Sequence, residues 1–154
     1  MFAFTVNANI DTSQEFMEKI RQTSVDSKKE NTRFLVFVSF SMPKSSIQQY
    51  MLDAKTFGAE LFLVGVPGNN IVEFSKTMQE MLSENSYGIS VDEKEFDRFN
   101  VKVVPTFVLV KEQISEKEKF DKLSGHVPLK YVLNAFANDG ELSIEAEKIL
   151  KNAN

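Results

Sequence analysis

The chain has 154 residues, of which 42% are apolar and 26% charged, and its formal net charge is −4. This is the composition of one globular domain, and the acidic balance argues against nucleic acid or an anionic membrane as the main partner, since both attract basic surfaces. The sequence has no cysteine and one histidine, which excludes thiol chemistry and disulfides and argues against a histidine metal site or triad. We therefore expect no metal and no cofactor, and no stretch reaches the roughly 20 apolar residues of a membrane span.

Residues 1–32 are predicted to form an N-terminal extension that contains one helix. Asp11-Thr12-Ser13 offer side chains that can cap a helix, and the apolar residues Phe16, Met17 and Ile20 follow at helical spacing. The first residues lack the basic region and the long apolar run of a signal peptide. If the protein is exported, this sequence therefore begins after the signal.

Residues 33–154 are predicted to form one domain around a central strand, Arg33–Ser39. This run of β-branched and aromatic residues is typical of a strand buried on both faces of a sheet. From Lys44 the apolar residues follow helical spacing until Gly58, and Glu60–Val64 is a second apolar run of strand length. These three elements predict a βαβ unit with parallel strands.

The loop 65–70 contains two glycines and opens a second helix. A glycine loop between a strand and a helix is able to cradle a phosphate, but a plain turn with Asn70 as the helix N-cap is the preferred interpretation. The sequence has neither a Walker-type Gly-Lys-Ser/Thr nor a complete GxGxxG. The residues predicted to face inward from this helix are Ile71, Phe74, Met78, Met81 and Leu82.

The C-terminal half is predicted to add three strands and three helices. Asp92 follows a short strand at Ile89–Val91 and is placed to cap a brief helix. A proline introduces the next strand, Val103–Val110, and a charged loop connects it to an edge strand, Phe120–Leu123. Pro128 then begins a helix, and a last amphipathic helix ends the chain.

The order of these elements resembles the thioredoxin fold. The segment Phe99–Phe107 resembles that family's stretch before and through its cis-proline, and Phe120–Gly125 resembles its closing strand. The resemblance implies an α/β fold of three layers, with a mixed central sheet flanked by helices and a cis Val104–Pro105 bond. Redox members carry Cys-x-x-Cys where this chain has Met42–Ser45, and a serine hydroxyl cannot store electrons as a disulfide. Oxidoreductase activity is therefore not expected.

A narrower resemblance is to the TrbC family of F-type conjugative pilus assembly proteins. It is carried by Phe37–Pro43, by the loop 65–70, by Val104–Phe107 and by Ser124–Leu129 with Tyr131-Val132-Leu133. It implies a non-catalytic component of a type IV secretion system that is located in the periplasm and acts in conjugative pilus assembly through protein–protein interaction. It also implies a TraW-like pilus assembly protein and other secretion-system components as partners.

The corner after the first strand and the proline loop together form the candidate partner-binding groove. Redox relatives hold extended substrates in the corresponding groove, so an apolar rim here would bind an extended partner segment. Core packing is the competing interpretation for Phe40 and Met42, and His126 is interpreted as a surface loop residue rather than a pH switch. The predicted groove residues are Phe40, Met42, Pro43, Lys44, Ser45, Val104, Pro105 and Thr106.

Three functions remain open at this point. The preferred one is a non-catalytic interaction module of a conjugation apparatus. The second is a chaperone-like periplasmic protein that binds unfolded or extended chains through the same groove. The third is an enzyme that uses Ser45 or Ser46 as nucleophile and Lys44 or an acidic neighbour as base, and we disfavour it because we expect no histidine near these serines.

Overall fold

The computed structural model describes residues 31–65, 71–84, 89–113 and 116–153, without the side chains of 82–84, together with Gln14 and Met17. The chain divides into two compact units, Met1–Asn31 and Thr32–Asn154. In the first unit Gln14 and Met17 are helical. Three other parts of the sequence prediction lie outside the described residues. They are the rest of the N-terminal helix, Gly68 and Asn70 of the loop 65–70, and the side chain of Leu82.

Strands and helices alternate from Asn31 to Arg98, and two strands and then two helices follow. In chain order they are β1 (Asn31–Ser39), α1 (Lys44–Phe57), β2 (Glu60–Val64), α2 (Ile71–Glu84), β3 (Ile89–Ser90), α3 (Glu93–Arg98), β4 (Thr106–Glu112), β5 (Lys119–Ser124), α4 (Leu129–Asp139) and α5 (Ser143–Asn152).

The central position predicted for β1 is confirmed. Among the described residues, five strands form one sheet in the order β3-β2-β1-β4-β5. β2 is parallel to β1, β3 is parallel to β2, and β5 is antiparallel to β4. Arg33, near the start of β1, donates to Glu60 at 2.9 Å and to Glu112, at the end of β4, at 3.0 Å. β4 therefore runs antiparallel to β1, and its first residue lies beside the carboxyl end of β1.

Both faces of β1 are covered, because its side chains alternate between two apolar clusters. Phe34, Val36 and Val38 belong to a cluster with α1, α4 and the buried Met81 of α2. Leu35 and Phe37 belong to a second cluster on the other face, with two phenylalanines from α3 and the residue after it. Burying each such side chain contributes roughly 1.5–3 kcal/mol. Helices thus cover both faces of a mixed sheet, and the expected thioredoxin-like α/β fold is confirmed.

Two details of the prediction are wrong. β4 begins at Thr106 rather than at Val103, and Val103 is 60% exposed. Val103 lies in a bend that continues to Pro105. A proline has no backbone N–H to donate to a neighbouring strand, so regular strand pairing begins only after it. Ile71 was expected to face the core but is 65% exposed, since it starts α2, whereas Phe74 one turn later packs against the core. The expected cis Val104–Pro105 bond is confirmed.

Candidate functional site

A tight turn joins the carboxyl end of β1 to α1. The carbonyl of Ser39 accepts a hydrogen bond from the backbone N–H of Met42 at 3.0 Å. The hydroxyl of Ser39 accepts one from the backbone N–H of Ser41 at 3.2 Å. Pro43 is the N-cap of α1, and its carbonyl accepts from the backbone N–H groups of Ser46 and Ile47. The side chains of this corner therefore sit on a fixed backbone at the start of a helix.

Phe40 and Met42 are half-buried, and both pack against the cluster that contains α1. The ring of Phe40 makes an edge-to-face contact with Phe74, with the centroids 5.4 Å apart. Pro43, Lys44 and Ser45 are exposed, and Nζ of Lys44 lies 3.4 Å from Oε2 of Glu80 on α2. The corner therefore presents an apolar rim that is partly anchored in the core, next to exposed first-turn residues.

The proline loop lies beside this corner, at the same end of the sheet. Pro105 is buried, and its carbonyl accepts from the backbone N–H of Gly125 at 3.0 Å. The hydroxyl of Thr106 donates to the carbonyl of Val103 at 2.7 Å and also lies 2.6 Å from the hydroxyl of Ser124. Thr106 is therefore turned inward, where it fixes the loop, and Val104 packs against the cluster on the opposite face from Phe40.

A cavity of about 690 Å³ opens next to the corner, between α1 and the loop that leads into α4. Ser45 is the predicted groove residue that belongs to its lining. The other lining residues are Ser46, Gln49, Tyr50, Asp53, Thr56, Phe57, His126, Val127, Pro128 and Lys130. Its size is within the range of roughly 300–1,000 Å³ that is usual for ligand sites in proteins.

Tyr50 fixes the floor of this cavity. Its hydroxyl donates to the carbonyl of Val127 at 3.1 Å, and its ring makes edge-to-face contacts with Phe107 at 5.5 Å and with His126 at 6.0 Å. Burial raises the pKa of Tyr50, and the negative charge of Asp53 adds to this effect. The hydroxyl therefore stays protonated at neutral pH and holds α1 against the loop.

The two walls of the cavity carry opposite charges. Asp53, on α1, is half-buried and accepts a hydrogen bond from Nε2 of Gln49 at 2.9 Å. Lys130, in the first turn of α4, is exposed on the other wall. Within the described parts of the chain, neither side chain forms an ion pair.

His126 corrects one expectation from the sequence. We expected no histidine near Ser45 and Ser46, but the loop after β5 brings His126 to the same cavity. Neither serine hydroxyl is hydrogen-bonded to the imidazole among the residues that the structure describes, so the arrangement lacks the contact that activates a serine nucleophile. The described residues also contain no group of three or more acidic or histidine side chains able to hold a metal ion.

Asp53 and Lys130 are not among the site residues predicted from the sequence. A signal for the α1 wall exists, because Ser46, Gln49 and Asp53 recur at helical spacing beside the apolar stripe of the same helix. No comparable pattern marks the opposite wall, which is assembled by the fold from a loop and one helical turn.

Residues 36–136 match the family described as the type-F conjugative transfer system pilin assembly protein, TrbC. This segment includes the corner, the proline loop and both walls of the cavity, and it covers more than half of the chain. The chain belongs to this family. The expected relation to the TrbC family is thereby confirmed.

A curated TrbC relative is the periplasmic protein TrbC of Escherichia coli (strain K12), which is 23% identical over 131 residues. The alignment covers 84% of this chain and 59% of the relative. The chain thus spans about three fifths of the length of that TrbC protein.

Two solved structures are remotely similar to this TrbC-family chain. One is Mycobacterium tuberculosis DsbF in mixed oxidised and reduced forms, with a TM-score of 0.44, 15% identity and coverage of 70% of this chain and 79% of that one. The other is a secreted M. tuberculosis disulfide oxidoreductase homologous to E. coli DsbE, with a TM-score of 0.35, 16% identity and coverage of 62% and 72%. Neither likeness bears on the activity of this chain. Within its described residues, no helix is long and apolar enough to cross a bilayer.

Proposed function

We propose that this protein is a non-catalytic periplasmic component of a type-F conjugative transfer system, a type IV secretion system, and that it acts in pilus assembly through protein–protein contacts. The observation that carries the proposal is the family match over residues 36–136. The periplasmic location follows from the description of the E. coli relative.

The chemistry of the corner supports a non-catalytic role. The sequence has no cysteine, so the thiolate that redox members of this fold use at the start of the helix is missing. The alternative base, Lys44, is near Glu80, and neither Ser45 nor Ser46 is hydrogen-bonded to a histidine in the described structure. A serine hydroxyl without an adjacent base is a weak nucleophile.

The partner-binding groove that we propose consists of the corner and the proline loop. Phe40 and Met42 supply half-exposed apolar surface, Pro43–Ser45 are exposed beside them, and Val104–Pro105 border the same end of the sheet. Thr106 contributes from inside by holding the loop. We propose a TraW-like protein as the first partner to test.

Gene deletion in a donor strain tests the function. We expect transfer frequency and surface pili to be lost on deletion and restored by the wild-type gene supplied in trans. Normal transfer after deletion would contradict the proposal.

Two assays on purified protein test the non-catalytic role. We expect no insulin reduction above a no-protein control, and no labelling by a fluorophosphonate, which reacts with activated serines. Labelling of Ser45 or Ser46 would instead support a hydrolase. Suppression of aggregation of an unrelated unfolded protein, without saturable binding to folded TraW, would favour a chaperone-like role.

A further inference from the structure

The cavity between α1 and the loop before α4 is a second surface, distinct from most of the proposed groove. Apart from Ser45, none of the residues predicted to bind a partner lines it. Its floor is rigid, because Tyr50 is 4% exposed and is held by a hydrogen bond and two ring contacts. A rigid, preformed cavity loses little freedom when it binds a ligand.

The α1 wall combines a carboxylate with aromatic surface. Asp53 is half-buried, and the described part of the chain provides no cation for it, while Tyr50 and Phe57 line the same cavity. A lysine or arginine side chain fits such a wall, because its charged end pairs with the carboxylate and its alkyl stem packs against the half-buried ring of Phe57. The amide of Gln49 already orients the Asp53 carboxylate, so the acceptor is fixed before binding.

The opposite wall carries a positive charge and therefore favours a negatively charged group on the ligand. Lys130 lines the cavity from α4 and forms no ion pair with a described residue. A wholly basic ligand would meet this cation, so the two walls together select a ligand with both signs of charge. The pair Asp53 and Lys130 also gives the ligand one preferred direction along the cavity.

We infer that this cavity binds an extended segment of a partner protein in which a basic residue contacts Asp53 and an acidic residue contacts Lys130. The choice of a polypeptide rests on the proposed function, in which the chain acts by binding other proteins. The remaining lining supports it, because Ser45 and Ser46 place hydroxyls that can bond to the peptide backbone, and the hydroxyl of Thr56, which donates to the carbonyl of Leu52, can still accept.

A phage-displayed library of random peptides tests the inference on the full chain. Peptides selected on the wild-type protein are expected to share a basic residue and an acidic residue at fixed spacing. Selection on Asp53→Asn should lose the basic preference alone, and selection on Lys130→Gln should lose the acidic preference alone. Asp53→Asn keeps an oxygen that can accept from Gln49, so the helix is left intact.

Calorimetry with one selected peptide provides the quantitative arm. Asp53→Asn should weaken binding by about tenfold or more, the usual effect of losing a hydrogen-bonded charge pair. Asp97→Asn is the same substitution at an exposed position of α3, on the other face of the sheet, and it should leave the affinity unchanged. Peptides without a charge preference, an equal loss in the Asp97 variant, or self-association that both cavity variants abolish would each overturn the inference.

The two proposals fail separately. If deletion abolishes transfer while the wild-type chain selects no charged motif and the Asp53→Asn and Lys130→Gln genes support normal transfer, the cavity inference is wrong and the assembly role stands. If deletion leaves transfer normal, the assembly role is wrong, whatever the peptides show.

Discussion

Asp121 on β5 holds the turn that precedes α5 and lies directly against Gly140. Its two carboxylate oxygens accept from the backbone N–H groups of Glu141 and Leu142, each at 2.8 Å. A methyl group added to Gly140 would lie 2.5 Å from Oδ2 of Asp121 and 2.5 Å from the carbonyl oxygen of Phe136. Gly140 is therefore required for space rather than for an unusual backbone angle, since its φ is −80°.

The first prediction follows from this contact. Gly140→Ala should lower the free energy of unfolding by about 1–3 kcal/mol, because a forced overlap shifts either the carboxylate or the end of α4. Urea unfolding measures it. Asp139→Ala, at the exposed neighbouring position, should change stability by less than about 0.5 kcal/mol and serves as the control. A Gly140 variant as stable as wild type would show that the turn relaxes without cost.

Much of this fold follows from apolar period alone. The bounds of β2 match the sequence prediction, and α1 begins at Lys44 and ends before Gly58 as expected. The errors in the predicted strand bounds fall where the spacing of apolar residues carries little information. Val103 continues the β-branched run of β4, yet the proline loop turns it to solvent, and the sequence does not show where strand pairing starts.

The second prediction concerns Asn100, which adopts a positive φ of 48° after α3. Glycine takes this conformation without strain, whereas a β-branched residue does not. Asn100→Gly should therefore leave stability within about 0.5 kcal/mol of wild type, and Asn100→Val should cost about 1–2 kcal/mol. Both values come from the same urea titrations. Equal stability of the two variants would mean that the turn changes conformation to accept valine.

The third prediction concerns the ion pair between Lys111 on β4 and Glu145 on α5, 3.0 Å apart, with side chains that are 18% and 14% exposed. Partial burial alone would raise the pKa of Glu145, but the hydrogen bond and charge of Lys111 and a backbone hydrogen bond at the start of α5 hold it below the usual 4.5. A carboxyl with a lowered folded-state pKa stabilises the fold above its unfolded pKa, and this contribution is lost as pH falls through the folded value.

The test compares wild type with Glu145→Gln by urea unfolding at several pH values. The wild type should be the more stable above pH 4.5, and the difference should shrink as the pH falls below 4.5. Glu147→Gln, in an exposed pair with Lys151, should show a difference of less than about 0.5 kcal/mol throughout. A difference for Glu145→Gln that does not change with pH would rule out the lowered pKa as its cause.

The site was less predictable than the fold. The corner could be located because the spacing of apolar residues changes from strand-like to helical after β1. The structure places the corner beside the proline loop, because β4 runs antiparallel to β1 and therefore starts where β1 ends. The cavity could not be located, because its walls come from α1 and from residues 126–130, the loop before α4 and the first turn of α4, far apart in sequence. The sequence pattern shows which residues share a helix face, but not which loop covers that face.

The last prediction concerns the corner itself. Met42 is half-buried, so Met42→Glu places a carboxylate at the edge of the core, where water still reaches it in the free protein. In a complex with an apolar partner surface the same carboxylate would be desolvated without compensation, which costs several kcal/mol. We therefore expect Met42→Glu to abolish binding to a TraW-like protein while its melting temperature falls only modestly. Calorimetry on both proteins and thermal unfolding measure the two effects.

Leu52→Glu is the matched control for Met42→Glu. Leu52 lies on α1, the helix that follows Met42, is 45% exposed and lines no part of the cavity, so the new charge should change neither partner affinity nor transfer frequency. Unchanged affinity in Met42→Glu would move the interface elsewhere, first to α4 (Leu129–Asp139). A collapse of the melting temperature would show instead that Met42 acts as a core residue, because a core methionine replaced by a carboxylate leaves a buried, unpaired charge in the folded state.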